Sequence, residues 1–181
     1  MTYVQDLTET DVFIVLRTVI LEILGGAASE VIRVPTNRTP MPKVLPFITM
    51  YPLMKEQIAW PHTTTVSEQS VLRNKQITQA IQYTIQLDVY GPTAGDIAQT
   101  LWGVFQSADA YDLFAAQTPK GVYPISAETP RQVPMIDGES EYEVRWMLTV
   151  NLQYNPTLST TVQTASTVTV QNVINVEATY N

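Results

Sequence analysis

Cysteine is absent from the 181 residues. That excludes disulfides, thiolate nucleophiles and cysteine-based zinc sites, and it suits a reducing compartment. Basic residues are scarce: ten Lys and Arg stand against seventeen Asp and Glu, for a formal net charge of −7. They are spread along the chain without a basic stripe, which argues against tight phosphate-backbone binding. A surface that merely lets nucleic acid pass is compatible with this charge. Histidine occurs once, at His62. Long apolar runs are missing too. The most apolar stretch, Val12–Leu24, is broken by Arg17, Thr18 and Glu22 and is too short and too charged to span a membrane. Residues 1–11 carry acids and neither Lys nor Arg, so they lack the basic start of a signal peptide, and no targeting segment is expected.

Hydrophobic residues make up 45% of the chain, ordinary for a globular protein. A chain of this length buries about two thirds of its unfolded surface on folding. One domain with extensions is expected, with the domain over residues 1–155 and a C-terminal extension over residues 156–181.

The strongest pattern lies in two runs. In the first, Ile77, Ile81, Tyr83, Ile85, Leu87 and Val89 alternate with polar residues such as Thr78, Gln82, Thr84, Gln86 and Asp88. Strict period-two alternation predicts a strand with one buried and one wet face. Gly91-Pro92 stops it, and Thr93 with Asp96 resembles a capping box that opens a helix. In the second run, 139–155, the apolar parity is Tyr142, Val144, Trp146, Leu148, Val150, Leu152 and Tyr154.

Helices are expected elsewhere. Thr8 with Asp11 marks a helix start and Gly25-Gly26 a stop. Val12, Phe13, Val15, Leu16, Val19, Ile20, Ile23 and Leu24 share one broad face. Ile14 and Leu21 fall among Asp11, Arg17, Thr18 and Glu22. Two aliphatics on a polar face are either incidental or a second contact surface toward a neighbouring subunit. The helix after Thr93 presents Ile97, Leu101, Val104, Phe105 and Ala108 together, with Trp102 at the margin. A short turn is expected over 109–116.

Leu45–Tyr51 is a predicted strand, confined by Pro46 and Pro52 to an edge or a short span. Residues 53–75 lack clear periodicity, and a connection of that length is functional or mobile. Part of it, 54–60, extends the strand in one reading, giving a long hairpin arm with Ile77–Tyr90. Gly121–Ser126 is a short strand held to an edge by Pro124. Asp137-Gly138 fits a turn into the last strand. From Thr157 onward the composition shifts to Thr, Val, Asn and Gln, with no Lys or Arg. Val168, Val170, Ile174 and Val176 share a parity. This is either a disordered polar tail or a strand that pairs elsewhere.

No catalytic constellation accompanies these elements. Ser67 and Ser70 near His62 sit in a Thr/Ser-rich stretch without a nucleophile elbow. Asp137, Glu139, Glu141 and Glu143 invite a carboxylate-pair or calcium reading. Glu139, Glu141 and Glu143 share one strand face, and a solvated hairpin edge accounts for them without a metal. Gly25-Gly26 follows a helix, the wrong context for a phosphate loop. Tyr83, Tyr142 and Tyr154 lie at core parity and read as core, not as base-stacking platforms. No enzyme activity, cofactor or metal is expected.

The expected fold is α+β: an antiparallel or mixed sheet packed by two main helices, in the order α-β-β-α-β-β, with a long hairpin arm and a C-terminal β-type extension. Gln86-Leu87-Asp88-Val89-Tyr90-Gly91 feeding Ala98–Phe105, then Arg145-Trp146 and Leu152-Gln153-Tyr154-Asn155, resembles the neck and tail-terminator proteins of tailed bacteriophages over roughly residues 8–155. The extension runs past the usual family end.

The resemblance implies a structural virion protein that forms a homo-oligomeric ring, commonly a hexamer, at the head-proximal end of the tail. Such a ring caps the tail tube protein and offers a face to head-completion or connector proteins; in contractile tails it meets the sheath. DNA would pass through the lumen without specific binding, and assembly would take place in the host bacterial cytoplasm, with no membrane involved. Each ring interface would bury about 1,000–2,000 Å². The interface candidates are Ile14, Leu21, Trp60, Trp102, Val168, Val170, Ile174 and Val176. A monomeric ligand- or peptide-binding α+β module using Trp60, Trp102 and the sheet edge stays open beside this reading.

Overall fold

The computed structural model describes residues 2–28, 30–34, 42–67, 72–119, 121–136 and 142–163. The fold is α+β, with a mostly antiparallel sheet and three helices among the described residues. In chain order the elements are β1 (Val4–Gln5), α1 (Glu9–Leu24), β2 (Glu30–Arg33), β3 (Phe47–Ser67), β4 (Leu72–Tyr90), α2 (Ala94–Phe105), α3 (Ala108–Ala116), β5 (Val122–Ala127), β6 (Arg131–Gln132), β7 (Met135–Ile136), β8 (Tyr142–Glu143), β9 (Arg145–Tyr154) and β10 (Thr157–Gln163).

Strand β4 is the axis of the molecule. One of its edges pairs with β3 along almost its whole length. The other edge is shared end to end: β9 takes Ile81–Tyr90 and β10 takes Leu72–Thr78. The Gln79 N–H donates to the Pro156 carbonyl where the two neighbours meet. The alternation in the sequence maps onto this register. Leu87 faces Leu148, Ile85 faces Val150 and Tyr83 faces Leu152, and all six are buried. Trp146, opposite Val89, is partly buried against the same core.

Helix α1 begins with the expected capping box. Thr8 Oγ1 accepts from the Asp11 N–H at 3.3 Å, and Asp11 Oδ2 accepts from the Thr8 N–H at 2.8 Å. The helix ends at Gly25, whose φ of 54° is left-handed and suits glycine. Val12, Phe13, Val15, Leu16, Val19 and Ile20 are buried; Ile23 and Leu24 pack partly against the core. Phe13 meets Tyr83 edge-on at 5.8 Å between ring centroids.

Several expectations are corrected. Helix α2 buries Ala94, Ile97, Ala98, Leu101 and Phe105, but Thr93 makes no side-chain capping bond. Ala108 is exposed and opens α3, a nine-residue helix where a turn was expected; its buried Phe114 packs on Phe105. The chain also forms β2, which pairs parallel to Phe47–Met50 and which the sequence did not announce. The run 139–155 is not one strand. It breaks at Val144, whose carbonyl accepts from Gly91 N–H at 3.1 Å, and β8 pairs with β7 in a separate small sheet. Asp137-Gly138, Glu139 and Glu141 lie outside the described residues. His62, expected in a loop, is an exposed residue of β3.

Candidate functional site

The site is a surface built on β3. Among the described residues, only Phe47–Met50 of this strand has partners on both sides. From Tyr51 to Ser67 it pairs with β4 alone among the described residues. With β10 on the far side of β4, the result is a three-stranded arm. Pro52 falls where β2 has ended, as an edge requires.

The arm carries apolar side chains in water. Leu53, Met54 and Ile58 are about half exposed, and Trp60 is 93% exposed. The register explains three of the four. Pairing steps from Pro52 to Met54, from Gln57 to Ala59 and from Ala59 to His62, so Leu53, Ile58 and the Trp60-Pro61 pair are residues that the ladder skips. A bulge re-aims side chains and twists the strand. Exposed apolar groups concentrated on one element mark an interaction surface more than scattered ones do.

A polar clamp fixes the arm's base. Glu9, in the first turn of α1, accepts from Lys55 Nζ at 2.5 Å and from Arg33 Nη2. Lys55 also lies over the Tyr83 ring at 4.7 Å, and the Arg33 guanidinium over the Phe13 ring at 4.2 Å. The Lys55 hydrogen bond is the chief cause that holds the Glu9 carboxyl below its ordinary value; burial opposes it in part. Burial, then the Glu9 contact, pushes the Tyr83 hydroxyl well up. Helix, parallel strand and arm are thereby tied at one point, beside a cavity of about 370 Å³ lined in part by Gln79, Tyr154 and Pro156. Sequence reasoning missed this clamp. Its members are 24 and 46 residues from Glu9, and no local pattern links them.

The motif residues quoted above meet at a second place. Arg145 Nη2 donates to buried Asp88 at 2.7 Å, and Gln86 Nε2 donates to the other oxygen at 2.9 Å. Tyr90 stacks on Phe47 at 4.7 Å. Trp146 lies so close to α2 that a Cβ on Gly95 would come within 3.2 Å of its indole ring. This junction locks the strand-to-helix turn.

The sequence-predicted interface residues are scattered over several surfaces. Ile14 is 49% exposed beside a groove of about 290 Å³ between α1 and β2, lined by Phe13, Arg17, Ile32 and Met50. Leu21 and Trp102 are partly buried against the core. The Trp102 Nε1–H is buried with no hydrogen-bond partner among the described residues. Trp60 is on the arm. Val168, Val170, Ile174 and Val176 lie outside the described residues. No group of three or more His, Cys, Asp or Glu able to hold a metal occurs among the described residues, and no helix there is long and apolar enough to cross a membrane.

The three-stranded arm keeps Leu53, Met54, Ile58 and Trp60 exposed on one element, the pattern of an interaction surface. The model of the phage neck terminator proteins matches residues 10–181, and the chain belongs to that family. The match runs on past 155, through the stretch expected to lie beyond the family's end. Membership makes this a structural protein of the bacteriophage tail and neck, in contact with other tail or head proteins of the virion. No curated protein matches the chain.

Proposed function

We propose that this protein forms a closed ring, a homohexamer, which terminates the tail tube and joins the tail to the head-connector complex. The observation that carries the reading is the arm: a surface with Trp60 almost fully in water, its base joined to α1 by the Lys55–Glu9 ion pair. Ile14, beside its groove, belongs to a different element. Contact between two unlike surfaces of identical subunits is heterologous, and it closes into a ring when the rotation allows. Leu21 and Trp102, partly covered by their own core, contribute at the margin of that contact.

The axial partners in this reading are the tail tube protein on one side and a head-completion or connector protein on the other. In a contractile particle the sheath is a third. DNA crosses the lumen without specific binding, in keeping with the net charge of −7. Assembly proceeds in the host bacterial cytoplasm. In this reading the domain covers residues 1–155 and the extension residues 156–181, and the extension opens with β10, which pairs with β4. Phage lacking this protein should yield tail tubes of unregulated length and heads without tails. Tubes of normal length, joined to heads, in its absence would overturn the reading.

A further inference from the structure

Among the described residues the arm has one edge without a partner strand. From His62 to Ser67, β3 runs in unbroken register with β4, from Thr78 back to Arg73. Among the described residues nothing pairs with the other side of that stretch. Upstream, Pro52, Pro61 and three register shifts interrupt the strand, the devices that discourage strand addition at an edge. His62–Ser67 has neither a proline nor a bulge, and Ile58 and Trp60 stand exposed just before it.

Strand β10 supplies the second observation. It runs toward the arm's tip, and its last residue, Gln163, pairs with Leu72 there. The sequence continues from that point for eighteen residues without Lys, Arg or Pro and with one acid, Glu177. Val168, Val170, Ile174 and Val176 fall on one parity. Eighteen extended residues reach about 60 Å, several times what six residues of strand need. The family match includes all of them.

We propose that residues 164–181 of one copy add as a strand to the His62–Ser67 edge of the next copy, with the valine parity set against Ile58 and Trp60. The inference rests on the ring reading and names the contact that closes it. A second copy is the occupant because of topology. β10 and the open side of β3 flank β4 on opposite sides. Within one copy the end of β10 and the open edge of β3 therefore lie on opposite sides of the arm, the arrangement by which one donor and one acceptor per copy link successive subunits. Main-chain hydrogen bonds supply the attachment, and alternate side chains supply the selectivity. One donor segment and one acceptor edge per subunit repeat head to tail.

The cysteine-free sequence makes the test clean. Full-length His62→Cys and full-length chains carrying Val168→Cys, Val170→Cys or Ile174→Cys are co-expressed with tags of different size and treated with a short bismaleimide linker. The expected result is a cross-linked pair containing one chain of each kind, strongest at one of the three positions. A link formed instead within a single chain carrying both substitutions would overturn the proposal in favour of fold-back. Light scattering on the same samples separates the two ideas. Ring mass without any cross-link removes this inference and leaves the ring; monomer mass removes both.

Discussion

Arg145 Nη2 donates a 2.7 Å hydrogen bond to Asp88, a residue of β4 with no exposure at all. The two residues belong to strands that are adjacent in the sheet but 57 positions apart in the chain. A buried carboxylate that loses its cation keeps its desolvation cost.

Arg145→Met should therefore lower stability by about 2–4 kcal/mol. The value sits at or below the usual cost of breaking a buried pair because the arginine side chain is about one fifth exposed. Arg145→Met with Asp88→Leu should recover much of the loss. Urea melts of the four proteins in the cycle give the coupling, and a value under about 0.5 kcal/mol would contradict the pairing.

Two glycines of α2 should respond with opposite signs. Gly95→Ala places a methyl group 3.2 Å from the Trp146 ring, and overpacking there should cost about 1–3 kcal/mol. Gly103→Ala meets nothing within 4 Å and should stabilise by about 0.5–1 kcal/mol through helix propensity. Thermal melts that rank the two the other way would refute the packing of Trp146 on α2.

Leu148→Ala, opposite Leu87 in the centre of the sheet, should cost about 2–5 kcal/mol. A loss under about 0.5 kcal/mol in urea would exclude the β4–β9 core.

Acid should weaken the protein through the N-terminus of α1. The Lys55 hydrogen bond, chiefly, holds Glu9 below 4.5, and Thr8 holds Asp11 below 3.8. Both folded values are depressed, so the unfolded chain binds protons first. The stabilisation is complete above about pH 4.5 and is lost as pH falls through the lower folded values. Glu9→Gln should flatten the slope of stability against pH between about 5 and 3, and an unchanged slope would exclude the clamp. Thr8→Ala should cost about 1 kcal/mol at pH 7 through the lost cap.

What could be read in the sequence depended on how regular each element is. Strands β4 and β9 show strict alternation because each has one buried face, and their parity named Ile85, Leu87, Leu148 and Val150 correctly. The hairpin arm was legible only as one reading of 54–60, and its run on to Ser67 escaped because Leu53, Ile58 and Trp60 are extra residues at bulges, each of which resets the parity on which the reading depends. Strand β2 has four residues, too few to show a period. Helix α3 buries only Ala110 and Phe114, so its stripe is thin. Strand β10, rich in Thr and Ser, resembled the start of a tail; its assignment depends on β4 as a template, a long-range partner that no local window contains. Ile14 stands exposed as its helical position implied, whereas Leu21, assigned to the same polar face, packs partly against the core.

Trp60→Ala should leave stability within about 0.5 kcal/mol, because the side chain touches little of its own subunit, yet it should weaken assembly. Ile14→Asp together with Leu21→Asp should likewise leave a folded chain that no longer forms rings. Circular dichroism paired with light scattering separates folding from assembly, and unchanged oligomer mass in both variants would argue against these surfaces.

The central claim is a ring, and electron microscopy of the purified full-length protein, with its mass taken by light scattering, tests it most directly. The account predicts closed annular particles of six chains with a central opening. A monomer at every concentration tested, with no annular particles on the grid, would contradict it.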